Sequence, residues 1–353
     1  MTISSLVTIA ALAWTSAKAD YAWRFPDDHW AHPGYKTEWW YFTGHTGRFA
    51  YQFTMFKVGL SETPVTGSTW STEALVMGHV AVTDLESGEH RFAEVIQRVQ
   101  PELAGYGAYP ESRIIWCRGP AGTAESWELA WKEDGFVFHA RDSRQAFAME
   151  LATHEAKPLV FQGANGLSRK GRGEEAASLY YSQTRLATRG TIELDGKRYE
   201  VTGESWMDKE FGSNLLGEGQ VGWDWFSLQL DDQRELMLYV LRRADGGVDW
   251  ASGTLVDRDG KATYLGRDDF SVTASGSWES KASRARYPTH WTVVVPAHGL
   301  ALDIDAKAKA QENVSKALPK LFYWEGAVEV RGSASGRGFV ELTGYGTSLK
   351  PAL

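Results

Sequence analysis

Glu204, Trp206 and Asp208 stand two residues apart in the run Gly203-Glu-Ser-Trp-Met-Asp208. Residues two apart on an extended chain share a face. The spacing therefore sets two carboxyls and an indole on one side of a strand. A second run, Gly222-Trp-Asp-Trp-Phe-Ser-Leu-Gln-Leu230, puts Asp224 on a face with Phe226, Leu228 and Leu230. Trp223 and Trp225 turn the other way. A carboxyl on an apolar face is costly unless it is paired or protonated. One outcome is structural: the acid pairs with Lys209 or Arg243, or accepts backbone N–H groups. The other is chemical. There the carboxyl is an acid held in an aromatic pocket. His79, in Val76-Met-Gly-His-Val-Ala-Val82, reads as a core histidine or as a group that orients a water or a carboxylate.

Signatures of other chemistries are missing. There is no Gly-x-Ser-x-Gly elbow, no His-Glu-x-x-His pair, and no phosphate or dinucleotide loop. His29 and His32 have ligand-like spacing but stand in a proline-bearing arm without a third partner. Neither a metal nor a cofactor is expected. The net charge of −8 argues against nucleic acid as a partner.

Short strands must carry these residues. Thr37 to Thr43 is aromatic and β-branched, Gly44 to Gly47 reads as a turn, and strand-like runs recur at short spacing to the C-terminus. Asp195-Gly196 is the strongest hairpin signal, and Glu133-Asp-Gly135 reads as another tight turn. Residues 163–173 are glycine- and arginine-rich and read as an exposed loop. Residues 306–318, stopped by Pro319, are the one expected helix. The pattern predicts an all-β, antiparallel chain built as sandwiches or barrels. Its 353 residues suit two domains. The 16 tryptophans suit an aromatic cavity or a large β core.

The start resembles a secretory signal. Residues 6–14 are apolar but too few to span a bilayer, and Ala17-Lys-Ala19 matches a cleavage site. The expectation is a mature chain from Asp20, exported to the periplasm or secreted, and not membrane-spanning. Cys117 is the sole cysteine, so no internal disulfide is expected.

The run Phe25-Pro-x-Asp-His29, then His32-Pro-x-Tyr-x-Thr-Glu-Trp-Trp-Tyr-Phe-Thr-Gly44, resembles the opening of AttH-like proteins, relatives of carotenoid 1,2-hydratase. So do Gly166-Leu-Ser-Arg-Lys-Gly171, Tyr180-Tyr-Ser-x-Thr-Arg-Leu186, Trp206-Met-Asp208, the Trp223 run, Tyr323-Trp-Glu-Gly-Ala-Val328 and Glu341-Leu-Thr-Gly-Tyr345. The resemblance implies two lipocalin-like (calycin-type) barrels in tandem, at 20–212 and 213–353 after a signal peptide at 1–19. It leaves three functions open. The first is a binder of a large apolar molecule, a lipid or polyene, with ABC transporter components as candidate partners. The second is a hydratase adding water to an alkene by acid catalysis. The third is a secreted hydrolase. In the hydratase the proposed proton donor is an Asp in an aromatic-x-Asp run. That role falls here on Asp208, with Trp206 beside it. The expected ligand-binding residues are Trp39, Trp40, Tyr41, His79, Tyr181, Trp223, Asp224 and Trp225. Only one of the adjacent Trp39 and Trp40 can face a given cavity.

Overall fold

A computed structural model of the chain describes residues 14–62, 68, 70–173, 175–213 and 216–346. Strands dominate, and the described helical elements are three short 3-10 turns. All strand pairs are antiparallel. A 13-stranded sheet begins as a meander from Thr37–Thr46 through Phe49–Gly59 and Ala74–Asp84 to His90–Arg98. Its first strand also pairs with Lys197–Gly212, which pairs with Ala177–Leu194, so the sheet curls into a nearly closed barrel. A 10-stranded sheet centred on Gln220–Leu230 and Gly336–Thr343 forms a half-barrel. The division between the sheets falls between Gly212 and Gln220.

The first strand runs on through Gly44 to Thr46, so its turn is confined to Gly47 and Arg48 and is shorter than the expected 44–47. Two other hairpins close where the residues indicate. Asp195 and Gly196 take φ of 51° and 75°, the left-handed pair that a two-residue hairpin needs. Glu133 and Asp134, at 51° and 56°, make the other tight turn.

Alternation along each strand then makes the cores. In Thr37–Thr46, Trp40 and Phe42 point into the first barrel, where they meet Phe53, Trp127, Phe138 and Met207. All are buried, so large side chains fill this barrel. The arm before the first strand folds back onto the same core through Trp30. Phe226, Leu228, Trp291 and Trp324 fill the second barrel. A third cluster lies between the barrels. It joins Tyr41, Tyr180 and Trp206 from the first to Trp225, Tyr239 and Phe339 from the second.

Three expectations need comment. Residues 306–318 are not a helix. Leu300–Ala306 is a strand, and Glu312–Val314 pairs with Phe322–Gly332. The side chain of Gln311 joins that pairing: its amide donates to Ala308 O (2.7 Å) and its oxygen accepts from Ala327 N (3.0 Å). Tertiary hydrogen bonds override local helix propensity here. Nor is the 163–173 segment simply an exposed loop. Leu167–Arg169 pairs with Ala177–Leu194, and Leu167 is buried beside Leu179 and Phe211. Residues 1–13, most of the expected signal, lie outside the described residues. Thr15 donates its N–H to Gly34 O (2.9 Å), and Ala17 packs against the Tyr35, Leu179 and Phe211 cluster. Among the described residues no helix is long and apolar enough to cross a membrane.

Candidate active site between the two barrels

Strand register lines up one row across the outer face of the first barrel. Ser182 pairs with Asp208, Asp208 with Tyr41, Tyr41 with Thr54, Thr54 with His79, and His79 with Glu94. A row on the second barrel faces it: Tyr239, Trp225, Glu341 and Glu325. Side chains cross between the rows. The Tyr41 hydroxyl donates to Glu325, Trp225 Nε1 donates to the Tyr180 hydroxyl at 3.3 Å, and Tyr323 meets His79 Nδ1 at 2.8 Å. Tyr41 and Trp225 pack edge to face at 5.1 Å.

Asp208 sits in the centre, 3% exposed. Its Oδ1 accepts from Ser182 Oγ (2.5 Å) and from Trp206 Nε1 (2.7 Å). Burial pushes its pKa up to about 7, against the lowering effect of those two donors and of Tyr180. Near neutral pH the group is therefore poised between acid and carboxylate. Burial also raises Glu341 to about 7, where Trp223 Nε1 donates to it at 3.1 Å and Asp208 adds like charge. Glu325 is pushed well above the carboxylate range by burial and then by Glu341.

A cation reaches this acidic cluster from the 163–173 segment. Lys170 Nζ lies 2.9 Å from Glu210, which also accepts from Ser178 Oγ. Nζ sits over the Tyr180 and Tyr239 rings, 5.1 and 4.4 Å from their centroids. The loop is pinned there because the Tyr239 hydroxyl donates to Arg169 O.

The expected site residues divide by face. Asp208, Trp206, Tyr41, Trp223, Trp225 and His79 come together between the barrels, with Trp39 packed at the edge. Trp40 and Tyr181 do not join them. They lie inside the first barrel, Trp40 under the Lys209 ammonium and Tyr181 bonded to His29 Nδ1 at 2.6 Å. Asp224 lies on the inner side of the second barrel, held by Arg242 (2.8 Å) and Tyr345 (3.0 Å). Lys209, the pairing partner expected for Asp208, points the opposite way and binds Glu38. Adjacent strand residues cannot reach one another across the sheet. Tyr180, Glu210, Glu325, Glu341 and Lys170 escaped the reading of single residues. Tyr180, Glu325, Glu341 and Lys170 stand in runs that carry the family resemblance, and Glu210 shares the two-residue period of Trp206 and Asp208.

An all-β chain with two lipocalin-like sheets and aromatic-walled acids between them defines a class of tandem-barrel proteins. The chain belongs to the AttH-like family, which it matches over residues 16–345. Among solved structures it resembles a protein from Nitrosomonas europaea described as a candidate AttH. The two are 30% identical with a TM-score of 0.82, covering 94% of this chain and 99% of that one. Kievitone hydratase from Nectria haematococca aligns at 13% identity and TM-score 0.66, covering 95% and 94%. CghA with Sch210972 aligns at 11% and 0.52, covering 88% of each chain. The last two share the fold. No curated protein matches the sequence.

Proposed function

We propose that this protein is an acid catalyst that adds water to a double bond of an apolar substrate held between its barrels. The observation that carries the reading is Asp208: a fully buried carboxyl, raised to about 7, within a wall of Tyr180, Trp206, Trp225 and Tyr41. The Asp208 proton goes to one alkene carbon as the π electrons form the new C–H bond. The other carbon becomes cationic and faces the rings. A water forms the C–O bond, and its surplus proton returns to the Asp208 carboxylate. Trp39, Trp223 and Glu341 are half-buried at the edge of this cluster, and on this reading substrate would enter there. The likeness in fold to kievitone hydratase agrees with this reading.

Incubation with isoprenoid and polyene alkenes in oxygen-labelled water tests it. The parent should add a labelled hydroxyl, and Asp208→Asn should not. Absence of labelled product across both substrate classes would refute it.

A second reading, a carrier of an apolar molecule serving ABC transporter components, draws on an open groove of about 560 Å³ where Tyr106, Trp116 and Val99 stand beside Thr72, Glu73 and Gln100. Solvent extraction of purified protein separates the two. A stoichiometric bound lipid without turnover favours the carrier. Export also belongs to the proposal, with Ala17-Lys-Ala19 as the cleavage site. Intact mass of periplasmic material reads it directly.

A further inference from the structure

Charge crosses the seam between the barrels in two different ways. In one section, opposite charges pair from the two sides. Glu235 of the second barrel meets Lys157 and Arg185 of the first, both at 2.7 Å, and Arg337 of the second meets Glu204 of the first at 2.9 Å. Gln229 adds amide bonds to the carbonyls of Thr184 (2.8 Å) and Ser205 (3.0 Å). Each charge in this section has its opposite within reach, which is what keeps a buried ion tolerable.

The section around Trp225, four residues and about 13 Å back along the strand from Gln229, lacks that balance. Asp208 and Glu210 face it from the first barrel, and the cross-strand neighbours Glu325 and Glu341 from the second. Lys170, on Glu210, is the one ion-pair partner of these four acids among the described residues. The bonds that cross here come from neutral donors, the Tyr41 hydroxyl to Glu325 and Trp225 Nε1 to the Tyr180 hydroxyl. Ser182, Trp206 and Tyr239 complete the surroundings, with His79, Tyr323 and Glu94 further along the row. Burial pushes the Tyr41, Tyr180 and Tyr323 phenols up and holds the His79 ring low, at about 4, so none of them supplies charge near neutral pH.

Full ionisation would therefore set four carboxylates against one ammonium in a section that the aromatic rings close to water. While it is closed, burial raises Asp208 and Glu341 to about 7 and Glu325 well above its ordinary value. In contact with water the same groups return to about 4. Closing thus takes up protons. The closed form is favoured below about pH 4, and that advantage is lost as pH rises through about 7.

We infer that the acidic section of the seam is a pH-sensitive latch: the barrels close over it while its carboxyls hold protons and part there when they ionise, and the ion-paired section keeps the barrels joined. The inference needs no preformed space between the barrels, and it does not rest on Asp208 performing chemistry.

Thiol labelling of Ala327→Cys tests it. Ala327 is fully buried in the seam beside Tyr41 and Phe339, whereas Cys117 is buried in the core of the first barrel and serves as the control for unfolding. Each rate is divided by that of the urea-unfolded chain at the same pH, which cancels the ionisation of the thiol itself. Between pH 5 and 7 the seam thiol should label about tenfold faster per pH unit for each proton released on opening, while Cys117 stays protected. Adding Glu325→Gln and Glu341→Gln should flatten this dependence. Should that variant misfold, which Cys117 would report, Asp208→Asn removes one proton from the opposite side of the seam and should lower the slope accordingly. A pH-independent rate in the chain that carries Ala327→Cys alone would overturn the inference. So would a slope unchanged in both variants, or labelling of Cys117 in step with the seam. A latch that opens in a protein that hydrates no alkene would count against the hydratase reading and leave this one standing.

Discussion

Asp208 and Lys209 are neighbours on one strand, yet they belong to two buried charge clusters with opposite electrostatics. Lys209 points into the first barrel. There Glu38, fully buried, meets Lys209, His32 Nδ1 at 2.6 Å and Lys57 at 3.4 Å, while Asp28 holds His32 Nε2 at 3.1 Å. Burial pushes the Glu38 carboxyl up, but Lys209, His32 and Lys57 together outweigh it and hold the group well below the usual carboxylate range. Asp208, equally buried, faces outward to Glu210, Glu341 and Glu325. Burial wins there, and the pKa climbs to about 7. Equal burial gives opposite outcomes because the charges balance in one cluster and fail to balance in the other. The balanced cluster clasps the N-terminal arm to the barrel. The unbalanced one retains an exchangeable proton, which is a requirement of acid catalysis and not of stability.

The sharpest way to break this contrast is Glu38→Gln. It leaves two buried lysines without their carboxylate, and removing one partner of a buried pair costs about 3–5 kcal/mol. Urea unfolding should show that loss. A midpoint equal to the parent's would mean that Glu38 holds nothing together.

Asp208→Asn should behave in the opposite manner. The shape and the acceptor for Ser182 and Trp206 remain, so the fold should persist while turnover falls to background. The pH dependence carries the sign. The folded pKa is raised from 3.8 to about 7, so between those values the folded parent holds a proton that the unfolded chain has released. Stability from this group is fully present below about pH 4 and is lost as pH rises to about 7. The variant lacks that loss, and its stability relative to the parent should climb over the same window. The buried histidines titrate in both proteins and cancel in the difference. A flat difference between melting curves at pH 4 and 7 would show Asp208 to be an ordinary ionised acid.

Part of this contrast was legible in the sequence. The two-residue period of Glu204, Trp206 and Asp208 placed them on one face, and the strand pattern gave the all-β class. What the period cannot state is which face looks into a barrel. Sequence alone therefore groups Trp40 and Tyr181 with residues on the other side of the same sheet. Nor can it show what lies opposite. Tyr41 and Glu325 are 284 positions apart, and their contact exists only because two barrels pack. Residues 306–318 misled for a related reason. Their composition suits a helix, but Gln311 and Asn313 are buried in contacts made with distant strands.

Lys170→Met sharpens the comparison by changing the charge balance of the acidic cluster alone. Lys170 is the ion-pair partner of Glu210, and Glu210 raises the Asp208 pKa. Without the ammonium, the Glu210 charge acts on Asp208 undiminished. The Asp208 proton should bind more tightly, by about one pH unit for the loss of a nearby charge. Infrared titration of the carboxyl band, with Asp208→Asn as reference, measures it. A downward shift would contradict the assignment of Lys170 to this cluster.

The smallest effect is expected from starting the chain at Asp20, as cleavage after Ala19 would. That removes the Thr15 N–H bond to Gly34 O and the bond from Ser213 Oγ to Thr15 O. It also takes the Ala17 methyl from its place beside Leu179 and Phe211 and the half-buried Trp14 ring from its place over Gly59. One methyl is worth about 0.8 kcal/mol, a half-buried indole about 1–2 kcal/mol and each exposed-edge hydrogen bond about 1 kcal/mol or less. The ordering entropy of six residues offsets much of that sum. The arm beyond Asp20 keeps its own anchors, because Tyr21 donates to Asp28 (2.7 Å) and Asp28 stays bonded to His32 in the clasp. Removing this segment should therefore lower stability by about 1–2 kcal/mol and leave the clasp whole. Paired urea melts of the two chains read it, in the parent and again with Glu38→Gln. If the shorter chain loses as much as Glu38→Gln does, and the two losses fail to add, the first residues belong to the clasp. The contrast between a self-sufficient charged anchor and the open acidic cluster would then have to be redrawn to include them.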